Sequence, residues 1–385
     1  MKKIILFLAV LLQIPGIAEE ICKTYSEGYL PSYYDLQCDK HLYTYGDFLY
    51  WFAKEDNLSP CMTVKGSNTA FPSSPGNFVT APVSINHLST KWDPGFRVGL
   101  GYNFTRDGWD LETNYTWYRN NKGHVFSVPS FGLSSAVPFF PNNGQRALVD
   151  PWLNVAVFDP TLEPFLFDKV SARWKLHFNQ LDVDLGRKFW LSCYSAMRIY
   201  AGVRGAYFTT RFQNISSSRS LSTTYTLNKF SDQFKDRAWG VGLLGGIQPE
   251  WHMLSNFILF ANIDAALLWG KQSGRKKEDY TSFSGSGLQT INYHNTVRSS
   301  LYKMLTVLDI SLGLRWEETW CGRMRTSLDL AWENHLWFDE GNRFKTSGSF
   351  SSTSGSTTIV GFQSYEEEES NLMMGGPVVR LRVDF

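Results

Sequence analysis

His177 is followed by two carboxylates, Asp182 and Asp184. An imidazole beside a carboxylate can relay a proton. A hydrolase also needs a nucleophile within reach of that base, and no serine is placed as one. His87, His124, His252, His294 and His335 are scattered, with no two at a short zinc-like spacing. No P-loop, dinucleotide fingerprint, calcium loop or zinc cysteine pair occurs. The sequence therefore gives no expectation of an enzyme, a cofactor or a metal.

The charged residues that recur do so by alternation. In Gly376 to Phe385, the apolar Val379, Leu381, Val383 and Phe385 interleave with Arg380, Arg382 and Asp384. That is the period of a strand with one apolar and one wet face. The same rhythm sets Arg97, Asp110, Glu112, Arg198, Arg204, Asp264, Asp309, Arg315, Arg325, Asp329 and Glu333 against apolar neighbours. Lys175, His177, Asp182 and Asp184 are read with them as facing an enclosed interior. Arg198, Arg204, Arg315 and Arg325 would form a basic wall and Asp110, Glu112, Asp329 and Glu333 an acidic one, setting a transverse field in a lumen. A satisfied salt-bridge network in a filled interior is the competing arrangement for each residue.

Met1 to Ala18 has the form of a secretory signal: Lys2 and Lys3, an apolar run from Ile4 to Leu12, and a small-residue end at Gly16-Ile17-Ala18. The run is too short to span a bilayer as a helix, and no later stretch is long enough. Aromatic residues make up 16% of the 385-residue chain, the net charge is +1, and mean hydropathy is slightly negative. A helical membrane protein could not have this composition, whereas a membrane barrel could, because only alternate strand residues face lipid. The near-zero charge gives no argument for a nucleic-acid partner. Five cysteines, Cys22, Cys38, Cys61, Cys193 and Cys321, leave at least one unpaired within the chain.

In chain order, residues 19–40 read as a periplasmic arm or pore-mouth segment and 41–385 as the barrel. His41 to Lys54 is an aromatic strand, and Asp93 to Tyr118 a hairpin turning at Asp107-Gly108. Ser171 to Leu185 changes apolar parity, which predicts a bulge near Asn179-Gln180. Gly186-Arg187-Lys188 reads as a turn, and Pro249-Glu250 as a strand break. Asn57 to His87, Asn120 to Thr161, Asn214 to Lys235, Gly270 to Ser300 and Asp339 to Ser356 read as long loops, the second a candidate constriction loop. A strand and connector every 23 residues or so predicts an all-β, antiparallel transmembrane barrel with an even strand number of about 12 to 16.

The segment Lys91-Trp92-Asp93-Pro94-Gly95-Phe96-Arg97-Val98-Gly99-Leu100-Gly101-Tyr102, followed by Asp107-Gly108-Trp109-Asp110-Leu111, resembles the pore-forming major outer membrane proteins of Legionella and of environmental relatives of Chlamydia. Ala201-Gly202-Val203-Arg204-Gly205-Ala206-Tyr207, Trp239-Gly240-Val241-Gly242-Leu243 and the terminal Phe385 are similar to the same family. The resemblance implies an outer-membrane porin passing small hydrophilic solutes or ions, embedded in outer-membrane lipids. It also implies delivery by the barrel assembly machinery through Phe385, with a cysteine-linked envelope partner as a further option. A homotrimer is the general expectation for porins. The rival expectation is a surface adhesin or structural envelope barrel.

Overall fold

The structure, a computed structural model, describes residues 30–31, 41–65, 83–105, 107–129, 144–152, 166–192, 194–219, 227–254, 256–283, 289–351 and 360–385. The expected signal segment lies outside these residues. Its strands are β1 (Leu30–Pro31), β2 (Leu42–Glu55), β3 (Cys61–Lys65), β4 (Val83–Asn86), β5 (Trp92–Asn103), β6 (Trp109–Ser127), β7 (Arg146–Val149), β8 (Lys169–Ser192), β9 (Ser195–Arg219), β10 (Leu227–Leu254), β11 (Phe257–Phe283), β12 (Gln289–Trp320), β13 (Met324–Ser351) and β14 (Val360–Asp384). Ten of them, β2, β5, β6 and β8 to β14, pair antiparallel in chain order, and β14 returns to β2. The sheet thus closes into a ring and leaves no free edge through the apolar zone, as a strand in hydrocarbon requires.

Alternation decides which way each side chain points. On β11, Phe257, Ile263, Leu267 and Trp269 are exposed on the outer wall, while Ile258, Phe260, Asp264, Ala266 and Leu268 are buried inside. Trp109, Trp251, Phe257 and Trp316 ring one end of the exposed apolar belt; Tyr50, Trp239, Trp269, Tyr302 and Trp332 ring the other. Aromatic girdles around an apolar band are the signature of a lipid-facing barrel wall. The short turns lie at the first end, which is the periplasmic end of such barrels. Asp107 and Gly108 both take positive φ there (62° and 65°), as the hairpin reading expects.

The ring has ten strands where the sequence spacing predicted about 12 to 16. The excess arose because most stretches read as loops continue the strands. β12 runs for 32 residues, about 100 Å at 3.3 Å per residue, against an apolar belt of about 25 Å. The described parts of Asn214 to Lys235, Gly270 to Ser300 and Asp339 to Ser356 are these outer extensions. Above the belt the wall splits, because β12–β13 pairing stops at Thr306↔Phe338.

Three local readings are also corrected. β8 keeps unbroken register past Asn179-Gln180, so there is no bulge. Trp174, Leu176 and Phe178 point inward, as Asp182 and Asp184 do, while Lys175 and His177 face outward. Gly186-Arg187-Lys188 stays in strand, and β8 ends only at Ser192. Pro249 does not end β10: it pairs with Met197 of β9, and only the β11 ladder skips it, as a residue without an N–H allows.

Two attachments are not members of the ring. Leu30–Pro31 pairs with Trp190 and Phe189 of β8 at the periplasmic end. β4, β3 and β7 form a small sheet from stretches read as loop. Trp152, from the candidate constriction loop, packs at 6.0 Å from Phe212 and 5.1 Å from Phe234, both buried inside the barrel. That loop's Phe139, Phe140 and Phe158 lie outside the described residues.

Candidate functional site

The periplasmic half of the lumen is an ionic vestibule of about 600 Å³. All eleven residues expected to line a pore, Arg97, Asp110, Glu112, Arg198, Arg204, Asp264, Asp309, Arg315, Arg325, Asp329 and Glu333, line it. They do not form opposed walls. Arg97 bonds Asp47 at 3.0 Å and Glu333 at 2.9 Å. Arg198 lies between Asp110 (2.6 Å) and Asp184 (2.5 Å). Arg204 bridges Asp182 (2.9 Å), Asp264 (3.2 Å) and Asp309 (2.5 Å). Arg315 joins Asp329 (3.0 Å) to Glu250 (2.9 Å). Each guanidinium sits among carboxylates, because a charge this buried is tolerable only when paired and hydrogen-bonded. The transverse field expected from segregated walls is replaced by a local mesh.

The alternation that found these residues missed several partners. Asp47 receives both Arg97 and Arg380. Glu250 accepts from Lys188 and Arg315. His335 lies between Asp309 (2.8 Å) and Glu333 (3.3 Å), its ring 4.6 Å from Trp51. Alternation with Leu49 and Trp51 hid Asp47, because on β2 the inward face is itself largely aromatic and apolar.

The glycines of the Gly95 to Gly101 stretch have a lumenal purpose. Tyr43 and Tyr45 lie flat across β5, and a Cβ at Gly101 or Gly99 would stand 2.0 or 2.2 Å from their rings. From there both hydroxyls donate to Glu112, at 2.8 and 2.5 Å. Arg382 and Arg380 cover the other faces of the rings, at 3.7 and 4.1 Å. Phe385, the expected assembly signal, is exposed at the same end, its N–H donating to Leu42 O.

Above the vestibule the lumen is closed by an aromatic septum that the sequence reading did not foresee. Tyr118, Phe178 and Phe208 stand side by side in register on β6, β8 and β9. Trp337 reaches across from β13 to within 5.5 Å of both Phe178 and Phe208. Trp51 packs against Tyr118 at 5.5 Å. These five side chains are at most 2% exposed. The apolar fill continues outward through Trp174, Phe212 and Phe234 to Trp152. The signal for this was the parity change on β8, where apolar residues that seemed to switch faces are in fact inside.

Near the outer end, Asp150 clamps the small sheet to the barrel. Its carboxylate accepts from Ser216 Oγ (2.6 Å), Asn214 Nδ2 (2.9 Å) and Trp152 N (3.0 Å). Burial pushes this carboxyl up to about 6, against the pull of those donors. Cys61 of the same sheet is buried and free, and burial raises its thiol to about 11. Cys321, free and exposed, lies at a short turn. His177 lies on the opposite face of β8 from Asp182 and Asp184, so the relay weighed from the sequence is not formed.

A search of curated proteins returned no significant match. Solved structures with similar chain courses include the outer membrane protease OmpT of Escherichia coli (9% identity, TM-score 0.40, covering 94% of this chain and 100% of that one). A Pseudomonas aeruginosa FadL homologue gives 6% identity and a TM-score of 0.27, covering 90% of each chain. The Pseudomonas putida toluene transporter TodX gives 8% identity and a TM-score of 0.23, covering 93% and 96%. At these values none bears on activity. The family model of the Legionella pneumophila major outer membrane protein precursor matches residues 40–385, and the chain belongs to that family as an outer-membrane β-barrel.

Proposed function

We propose that this chain is a closed outer-membrane barrel that serves the envelope as a structural, surface-presenting protein. The single observation behind this reading is the span from Phe178 to Trp337. Their strands are diametrically opposite in the ring, yet their rings touch across the lumen at 5.5 Å. A ten-stranded ring lies near the size at which side chains fill the interior, well below the roughly 16 to 18 strands of aqueous porins. The long outer extensions of β9 to β13 supply a large surface beyond the lipid. Liposomes carrying the folded protein should swell in an isotonic small-sugar solution no faster than empty ones. Rapid swelling would overturn the reading.

A second reading, a porin for small hydrophilic solutes or ions, is favoured by the vestibule itself. Its charge-lined volume reaches from the periplasmic mouth to the septum. Hydrophobic constrictions can gate by excluding water, so passage would require the septum to rearrange. Swelling by the wild type that rises further with Phe178→Ala and Trp337→Ala combined would support this second reading.

A further inference from the structure

The outer wall of β8 to β12, just beyond the aromatic girdle, carries a row of five cations in direct register. Lys175 lies opposite Arg211, Arg211 opposite Lys235, Lys235 opposite Arg275, and Arg275 opposite Arg298. Side chains so placed have Cβ atoms about 4.5 to 5.5 Å apart, and like charges directly opposite each other destabilise a sheet. The structure gives none of the five an ion-pair partner among the described residues. Arg119, Arg173, Arg237, Lys271 and Lys277 flank the row on the same face. At the level of the row, the one carboxylate on that face of these strands, among the described residues, is Asp279, which is bonded to His294; Glu318 lies at the opposite, periplasmic end of β12.

Height supports the same conclusion. Arg237 lies two residues above Trp239 and Lys271 two above Trp269, with Lys271 stacked 5.4 Å over Tyr302. The row itself runs one or two inward-outward repeats further on. At 3.3 Å per residue and a strand tilt near 40°, this places the cations roughly 5 to 15 Å outside the girdle, in the headgroup layer. Partial burial and the surrounding Arg237, Arg211 and Arg275 hold the Lys235 amine below the usual lysine range, a sign of uncompensated positive field.

We propose that this face is a docking surface for a phosphorylated glycolipid of the outer leaflet, its acyl chains on the apolar belt and its phosphates on the row. Charge complementarity and continuity with the lipid-facing wall favour this occupant over a soluble one. Full-length folded protein in neutral micelles is titrated with diphosphoryl lipid A and with its dephosphorylated form, binding being counted by native mass spectrometry. The wild type should hold the phosphorylated lipid at least about tenfold more tightly. Changing Lys175, Arg211, Lys235, Arg275 and Arg298 together to Gln should abolish that preference and leave binding of the dephosphorylated lipid unchanged. The variant relieves like-charge crowding, so its heat-resistant folded band should persist. Equal binding of both lipids by the wild type would overturn the proposal. So would a preference retained by the variant, full competition by millimolar inorganic phosphate, or equally tight capture of a soluble acidic polysaccharide.

Discussion

Phe178 and Trp337 stand on strands on opposite sides of a ten-stranded ring, and their side chains meet edge to face at 5.5 Å. A barrel bridged by two side chains has little free lumen at that level. What remains open is the ionic half below, where Arg97, Arg198, Arg204 and Arg315 each lie among carboxylates. Removing part of this arrangement has calculable effects.

Arg204 is the most demanding site of the mesh, because three carboxylates depend on it. Arg204→Ala leaves Asp182, Asp264 and Asp309 without their shared cation. Breaking a buried pair from one side costs about 3–5 kcal/mol. Urea unfolding in lipid vesicles should show a loss of that order, and a loss below about 1 kcal/mol would mean that water already screens these charges.

Gly101→Ala places a methyl group where the Tyr43 ring lies. Overpacking of this kind costs about 1–3 kcal/mol, and displacing the ring also breaks its hydrogen bond to Glu112. The double variant with Tyr43→Ala should recover much of the packing loss. An unchanged melting temperature for Gly101→Ala would show that the ring does not lie across β5.

The outer clamp gives a pH dependence of definite sign. Burial lifts the Asp150 carboxyl from 3.8 to about 6, so the folded outer sheet holds this proton more tightly than an unfolded one. Its stabilising effect is complete below the unfolded value and is lost as pH rises from 3.8 to about 6. Amide exchange of β3 and β7, corrected for intrinsic rates, should speed up across that window. Asp150→Asn should flatten the response; the same slope in that variant would remove Asp150 as its source.

The two faces of β8 can be separated chemically. A cysteine at His177 should react with a membrane-impermeant maleimide added outside, whereas one at Gln180, inside the barrel, should not. Equal labelling would restore the bulge that the parity change suggested.

How much of this was legible in the residues follows from what alternation can report. Period two revealed the barrel, the outer face and eleven of the charged lining residues, because a charge next to lipid-facing side chains has only one other place to point. It failed where both faces are apolar. Trp174, Leu176 and Phe178 look like lipid-facing residues until the register shows them inside, and with them the septum stayed hidden. It failed again above the membrane, where the outer halves of β9 to β13 are polar on their exposed side and so read as loops, inflating the strand count. Partners such as Asp47 of β2 and Glu333 of β13, joined only through Arg97, are set by ring closure rather than by local pattern.

The closed lumen is tested most directly by adding the folded, full-length protein to a planar bilayer and recording current under applied voltage. The wild type should give no stepwise conductance, while Phe178→Ala with Trp337→Ala, a pair that costs about 3–5 kcal/mol per site and so needs a parallel check of folding, should admit ions where the wild type does not. Regular conductance steps from the wild type, unchanged by the double substitution, would contradict the septum and return the barrel to the open pores.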